Sequence, residues 1–236
     1  MKKIMAIGAH VLDAEISCGM TLAKHAKEGD KIVTIAITAG ENGRPQGFSK
    51  EEFRQINLEG AAAFAKALDG KFICMNYTDS MVPDNESICD ELAEIIREEK
   101  PDIVLTHWEG SSHDDHNLTS KIVRRAVRRA RYTDGKTYSA HREIELYYAE
   151  NWEDMDDFVP YLYVDVTGGY ELWKEAVQNI YLSTKAKYFN YLEYYDALSI
   201  MRGTLARRRI PECKRAEAFA ISNEERARLF EVKKSF

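Results

Sequence analysis

"KIMAIGAHVLDAEISCG" (residues 3–19) decides the fold. Residues 3–9 form a short apolar run suited to a strand buried on both faces, and three ionisable side chains, His10, Asp13 and Glu15, follow where a helix is predicted to begin. A strand that passes through a polar turn into a helix is the opening unit of an α/β fold.

The pattern repeats outward from that stretch. "KIVTIAIT" (31–38), "KFICMNY" (71–77) and "DIVLTH" (102–107) also read as strands buried on both faces. Between them, amphipathic stretches predict helices at 14–28, 50–68 and 86–99, the last closed by Lys100-Pro101. Strand and helix in this rhythm imply right-handed crossovers and a mainly parallel sheet. "EIELYYAE" (143–150) and "YLYVDVT" (161–167) add strands, and helices are predicted over 169–185 and 187–206. The expectation is therefore an α/β three-layer fold with a C-terminal strand/helix extension. No repeat or Ser/Gly-rich linker divides it, so one domain is expected over residues 1–236.

Composition excludes several functions. With 44% hydrophobic and 31% charged residues the chain is neither disordered nor membrane-like, and no apolar run approaches the ~20 residues of a span. A formal net charge of -6 argues against nucleic-acid binding, which needs clustered cations. The one strongly basic run, "RRAVRRAR" (124–131), reads as a solvated face of a helix that "LTSKIV" opens. Cys18, Cys74, Cys89 and Cys213 form no CxxC pair, and the first strand begins without a cleavable apolar segment, so reduced thiols in a cytoplasmic protein are expected. "YFNYLEYYDAL" (188–198) reads as core packing, with a subunit contact as the alternative.

In open α/β sheets ligands bind beyond the carboxyl ends of the strands, where strand order reverses. An order 3-2-1-4 makes the first and fourth strands flank that crevice. The first ends at His10, and the fourth delivers "HWEGSSHDDHNLTS" (107–120), so His10 and Asp13 would meet His113 and His116. Two imidazoles and a carboxylate are a catalytic zinc environment, with bonds of about 2.0–2.2 Å and one position left for water. The ligand set read here is His10, Asp13 and His116. His113, three residues before His116, is expected behind or beside the metal rather than as a ligand, and Asp114 and Asp115 offer carboxylates to fix an imidazole tautomer. Taken singly, Asp13 could cap the following helix and Glu15 could favour its positive end. His25 reads as solvated, His107 as a strand-end residue and His141 as a loop residue. In "TAGENG" (38–43), Gly40 and Gly43 free the backbone and set Glu41 at the rim, or form a plain turn. Arg54 offers a guanidinium to substrate or to Glu41, or is an exposed helical arginine.

Together these residues resemble the LmbE-like, or PIG-L, family of zinc-dependent N-acetylglucosaminyl deacetylases. The family's Ala-His-Pro-Asp-Asp-x-Glu corresponds to Ala9-His10-Val11-Leu12-Asp13-Ala14-Glu15, and its Gly-Gly-x-x-Ala helix is echoed by Gly19, Met20 and Ala23. Its Thr-x-Gly-Glu-x-Gly loop matches Thr38 to Gly43, and its arginine with an Ala-rich helix ending in Leu-Gly resembles Arg54 to Gly70. His-Pro-Asp-His becomes His113-Asp114-Asp115-His116, and Ala-Glu-x-Phe resembles Ala216-Glu217-Ala218-Phe219. The resemblance implies a Rossmann-like fold and Zn2+ held by His10, Asp13 and His116. It also implies hydrolysis of an acetamide on a small-molecule amino-sugar conjugate, with substrate contacts from Glu15, Glu41 and Arg54. A histidine placed like His113 would stabilise the oxyanion or protonate the amine. Relatives assemble as trimers or hexamers, so a homo-oligomer stays open.

One position departs from the pattern. The family's general base is the first aspartate of its motif, and here Leu12 occupies it. A positioned base contributes ~10²–10⁴-fold. Three accounts follow: an enzyme whose base has moved, to Asp114, Asp115 or Glu41; a non-catalytic metal-containing protein that binds a sugar or other small ligand; or a metal-free structural relative.

Overall fold

Strand β1 (Lys3–Gly8) sends Ile4 and Ala6 into one apolar layer and Met5 and Ile7 into another, as period-two alternation requires. These four side chains are at most 1% exposed. Each buried isoleucine contributes about 1.5–3 kcal/mol. The protein is described here from a computed structural model covering residues 1–132, 139–153 and 155–229. The expectation of one domain over 1–236 extends across residues outside that description.

Parallel partners flank β1: β2 (Lys31–Thr38) on one side and β4 (Ile103–His107) on the other. Strand β3 (Lys71–Tyr77) extends the sheet beyond β2, and β5 (Glu145–Ala149) extends it beyond β4. Two strands close it, β6 (Leu162–Asp165) and β7 (Ala216–Ala220), giving the order β3-β2-β1-β4-β5-β7-β6. Both pairings of β7 are antiparallel. The fold is thus mixed α/β with a mainly parallel seven-stranded sheet, and the order 3-2-1-4 holds.

Helices cover both faces. On one, α4 (Glu86–Glu99) and α5 (Asp114–Ala130) bury Leu92, Ile96, Val123 and Val127 against Met5 and Ile7. On the other lie α1 (Asp13–Ser17), α2 (Gly19–Lys27), α3 (Lys50–Ala67) and α6 (Tyr170–Ala176). They contribute Ile16, Leu22, Phe64 and Trp173 to the layer holding Ile4 and Ala6. Two short helices complete this sequence, α7 (Tyr181–Lys185) and α9 (Asn223–Leu229), with the longer α8 (Tyr191–Ala206) between them. Among the described residues no helix is long and apolar enough to cross a membrane.

Several expectations are corrected. The helix expected over 14–28 breaks at Cys18, whose φ of -140° is not helical. The break aims the Met20 and Thr21 amides at the Glu217 carboxylate (3.0 and 2.8 Å), which joins α2 to β7. Gly19 is required there, because a Cβ would lie 2.6 Å from the Trp173 ring. The stretch 169–185 divides into α6, a 3-10 turn at Val177–Asn179 and α7. Helix α8 starts only at Tyr191, where the Asn190 side chain accepts the Glu193 amide. Strand β3, read as buried on both faces, is an edge strand with Lys71 and Asn76 exposed. The basic run belongs to a helix that begins at Asp114 rather than near Leu118.

Candidate metal centre

The site forms where strand order reverses. Strand β1 ends at Gly8, and the chain turns through His10 into α1, with Leu12 in a left-handed conformation (φ 94°) that costs a branched L-residue about 1–2 kcal/mol. The turn is held by its own side chains. Asp13 Oδ2 accepts the His10 amide (2.8 Å) and Glu15 Oε2 accepts the Leu12 amide (2.9 Å). Across the crevice, α5 starts at His113, whose Nδ1 accepts the Asp115 amide (3.2 Å) as an N-cap. That cap sets His113 and His116 on the side facing His10, with ring centroids 5.1 and 5.6 Å away.

Asp13 is the centre of the cluster. Its Oδ2 lies 3.2 Å from His10 Nδ1 and 3.5 Å from His116 Nε2. One ligand atom from each of His10, Asp13 and His116 lies within 4.8 Å of the others, and a set of His10, His113 and Asp115 meets the same test. Two imidazole nitrogens and a carboxylate oxygen match zinc's donor preference. Each imidazole also has a carboxylate behind it: Asp115 Oδ2 is 3.1 Å from His10 Nε2, and Glu153 Oε1 is 2.6 Å from His116 Nδ1.

Charge is arranged around this core. Burial alone would push the Asp13 carboxyl up, but His116 and then His10 hold it well below the usual carboxylate range. Burial opposes protonation of both imidazoles too. Asp13 and then Asp115 nevertheless raise His10, and Asp13, with help from Glu153, raises His116 to about 9. His107, stacked on His116 at 4.1 Å, is pushed down to about 4 by burial and by His116, so it is neutral. His113 is lowered for the same two reasons.

A cavity of about 350 Å³ opens over the cluster. His10, Asp13, Asp79, His113 and His116 form its polar side, and Leu12, Ile16, Trp152, Leu182 and Tyr191 stand in its apolar wall. Among the described residues no Lys or Arg lines it. Asp79 is 5% exposed, and its Oδ2 accepts the Asn42 amide (2.8 Å). Its Oδ1 accepts the Ser80 hydroxyl and stands 3.5 Å from His10 Nε2. Burial would raise this carboxyl, but the His10 contact and the Asn42 amide push it down to about 2, so it is ionised.

His10, Asp13, His113 and His116 therefore come together, while the other expected site residues do not line the cavity. Glu15, expected to contact substrate, is 2% exposed and spent on the Leu12 amide; burial pushes its carboxyl up to about 7. Glu41 is buried and accepts the Asp79 amide (3.2 Å), whereas its neighbours Gly40, Asn42 and Gly43 reach the cavity. Arg54 donates to Asn76 Oδ1 (2.6 Å) and approaches Glu41 at 3.8 Å. Asp114 is exposed on the first turn of α5, and Asp115 is turned toward His10 and the Ser80 amide (3.0 Å). His25 pairs with Asp30 (2.8 Å) rather than being merely solvated, and His141 donates to the Pro101 carbonyl (2.7 Å) within its loop. Asp79 and Glu153 carry no motif. The rule that sites form beyond strand carboxyl ends could have found them, two residues past β3 and four past β5.

The chain belongs to the PIG-L family, described as GlcNAc-PI de-N-acetylase, whose model matches residues 5–127. It is 31% identical over 154 residues to a 1D-myo-inositol 2-acetamido-2-deoxy-alpha-D-glucopyranoside deacetylase of Thermomonospora curvata, covering 53% of this chain and 52% of that protein. The chain spans about half the length of the first curated relatives it matches. Among solved structures, a 4-carboxy-2-hydroxymuconate hydratase of Pseudomonas putida KT2440 superposes with TM-score 0.81 at 21% identity, covering 94% of this chain and 99% of that one. An N,N'-diacetylchitobiose deacetylase of Pyrococcus horikoshii gives 0.76 at 20% identity, with 97% and 86% covered. These two likenesses concern the fold.

Proposed function

We propose that this protein is a zinc-dependent hydrolase that removes the acetyl group from an N-acetylated amino sugar or a related amide. The observation that carries this reading is the meeting of His10, Asp13 and His116 at the floor of a cavity that Asp79 and His113 also line. In this reading the three residues hold the ion, which supplies Lewis acidity and makes water a stronger acid.

The protein's own groups divide the proton work. His113 accepts the Asp115 amide at Nδ1, so its neutral ring carries hydrogen on Nε2 and can donate to a carbonyl oxygen gaining negative charge. A base must be found elsewhere, since Leu12 has none to offer. Among the described residues, Asp79 is the one carboxylate lining the cavity outside the ligand set, which supports it over Asp114, Asp115 and Glu41 as the relocated base.

A second reading, addition of water to a carbon–carbon double bond, is the reaction named for the hydratase whose fold this chain shares. Weighing against a polycarboxylate substrate like that relative's, no Lys or Arg among the described residues lines the cavity to pair with extra carboxylates, and Asp79 would face them with like charge. A neutral amide that leaves a cationic amine suits such a wall better. Four cysteines without disulfides support a reducing compartment, the cytoplasm. The single sheet, with helices on both faces, supports one catalytic unit.

The test is elemental analysis followed by an acetate-release assay on N-acetylglucosamine glycosides. Roughly one zinc per chain with turnover is expected. Zinc with tight glycoside binding but no turnover on any amide would replace the enzyme by a binding protein, and absence of metal uptake would end the reading.

A further inference from the structure

Glu153 lies beyond the residues that the family match covers, yet it makes the shortest contact to either imidazole of the cluster. It is 8% exposed, and both carboxylate oxygens are fully engaged. Oε1 is 2.6 Å from His116 Nδ1 and accepts from the Ser111 hydroxyl (2.6 Å) and the Asn151 amide group (2.7 Å). Oε2 accepts the Ser112 backbone amide (2.8 Å) and the Ser112 hydroxyl (2.5 Å). Asn151 is itself held by the Tyr195 hydroxyl (3.0 Å), which anchors this network to α8.

An ionised carboxylate only accepts, so a nitrogen 2.6 Å from Oε1 must carry the hydrogen. With Nδ1–H committed to Glu153, the proton that leaves when the ring becomes a ligand comes from Nε2, the atom that faces Asp13 Oδ2 at 3.5 Å. The other contacts hold Glu153 ready for this. With donors on both oxygens, the carboxylate does not have to reorganise when an ion arrives. The same contacts tie the loop bearing Ser111 and Ser112, which leads into His113, to the segment after β5.

We infer that Glu153 is the positioning residue of the metal centre: by accepting His116 Nδ1–H it commits Nε2 to the ion and sets how tightly zinc is held. This rests on the metal reading proposed above. A carboxylate behind a histidine ligand fixes ring orientation and raises ligand basicity, and its loss typically costs about 10–100-fold in metal affinity.

The experiment is a competitive chelator titration of the full chain, wild type against Glu153→Ala and Glu153→Gln, alongside ¹⁵N imidazole spectra of the zinc-loaded proteins and thermal unfolding of the metal-free ones. Glu153→Ala should raise the zinc Kd by about 10–100-fold. His116 should lose its single Nδ1–H tautomer. Glu153→Gln, which keeps an acceptor without the charge, should show a smaller rise and keep the tautomer. If the alanine variant fails to fold, the glutamine variant decides, and a zinc Kd equal to wild type then overturns the inference. Lower thermal stability with unchanged zinc affinity also overturns it, because Glu153 would then only brace the loop. A wild type that takes up no zinc removes the metal reading itself, whereas a wild type that binds zinc as tightly as both variants removes the inference alone.

Discussion

The chain up to Ala130 and the chain after Ile144 do different work. The first part supplies every atom in the proposed ligand set and both cavity groups assigned to proton transfer, Asp79 and His113. The second supplies what holds them: Glu153 behind His116, Glu217 under the start of α2, and Trp173, whose indole donates to the Glu15 carbonyl (2.7 Å) beneath the β1–α1 turn. The family match ends at residue 127, so it covers the donors, with Asp115 and Glu15 beside them, and leaves out Glu153, Trp173 and Glu217. Relatives that share the donors need not share how rigidly those donors are held.

The largest expected effect lies in the first part. Asp13→Ala removes the one carboxylate that both imidazoles face. Zinc content should fall from roughly one per chain toward zero and acetate release to background; retention of stoichiometric zinc would move the centre to the alternative set of His10, His113 and Asp115. Next comes Asp79→Asn, which should lower kcat by ~10²–10⁴-fold with zinc content unchanged. Leu12→Asp returns a carboxylate to the apolar wall and should recover part of that loss in the Asp79→Asn background. Full activity of Asp79→Asn alone would return the base to an unassigned group.

Apart from Glu153, effects in the second part should appear in stability. Glu217→Ala strands the Met20 and Thr21 amides in the core and should cost about 1–3 kcal/mol in urea unfolding. The pH dependence has a definite sign. Burial raises the Glu217 carboxyl from its ordinary value near 4.5 to about 7, so within that interval the native state holds a proton that the unfolded state has released. Its contribution is complete below the lower value and declines as pH rises to the upper one. Glu217→Gln should flatten its share of the decline between pH 5 and 8, and an unchanged slope would show that ionised Glu217 is fully satisfied by its two amides.

What could be read in advance follows the same division. The strands β1, β2 and β4 are rich in Ile, Val and Thr and so could be read from pattern, whereas the order 3-2-1-4, from which the convergence of His10, Asp13 and His116 follows, came from the general rule for such sheets. Strand β7 was not, because Ala216-Glu217-Ala218-Phe219-Ala220 has no β-branched residue and becomes a strand only by pairing with β5 and β6. The break at Cys18 was hidden because apolar periodicity runs through it, and contacts to Glu217 and Trp173 decide the geometry there. The brace from Glu15 to the Leu12 amide is not legible in the sequence, because it depends on the left-handed turn at Leu12. Asp79 sits among turn-forming residues, and nothing local distinguishes its carboxylate from that of an ordinary loop.

The Glu217 clasp has a consequence for how the protein is made. It joins residues 197 positions apart, across almost the whole length of the polypeptide. While a nascent chain is still leaving the ribosome, its N-terminal part can collapse first, but the two amides of α2 then have only water for partners. Closure of α2 onto the sheet must therefore await β7, so a chain cut short before Glu217 would carry His10, Asp13 and His116 without this clasp beneath them.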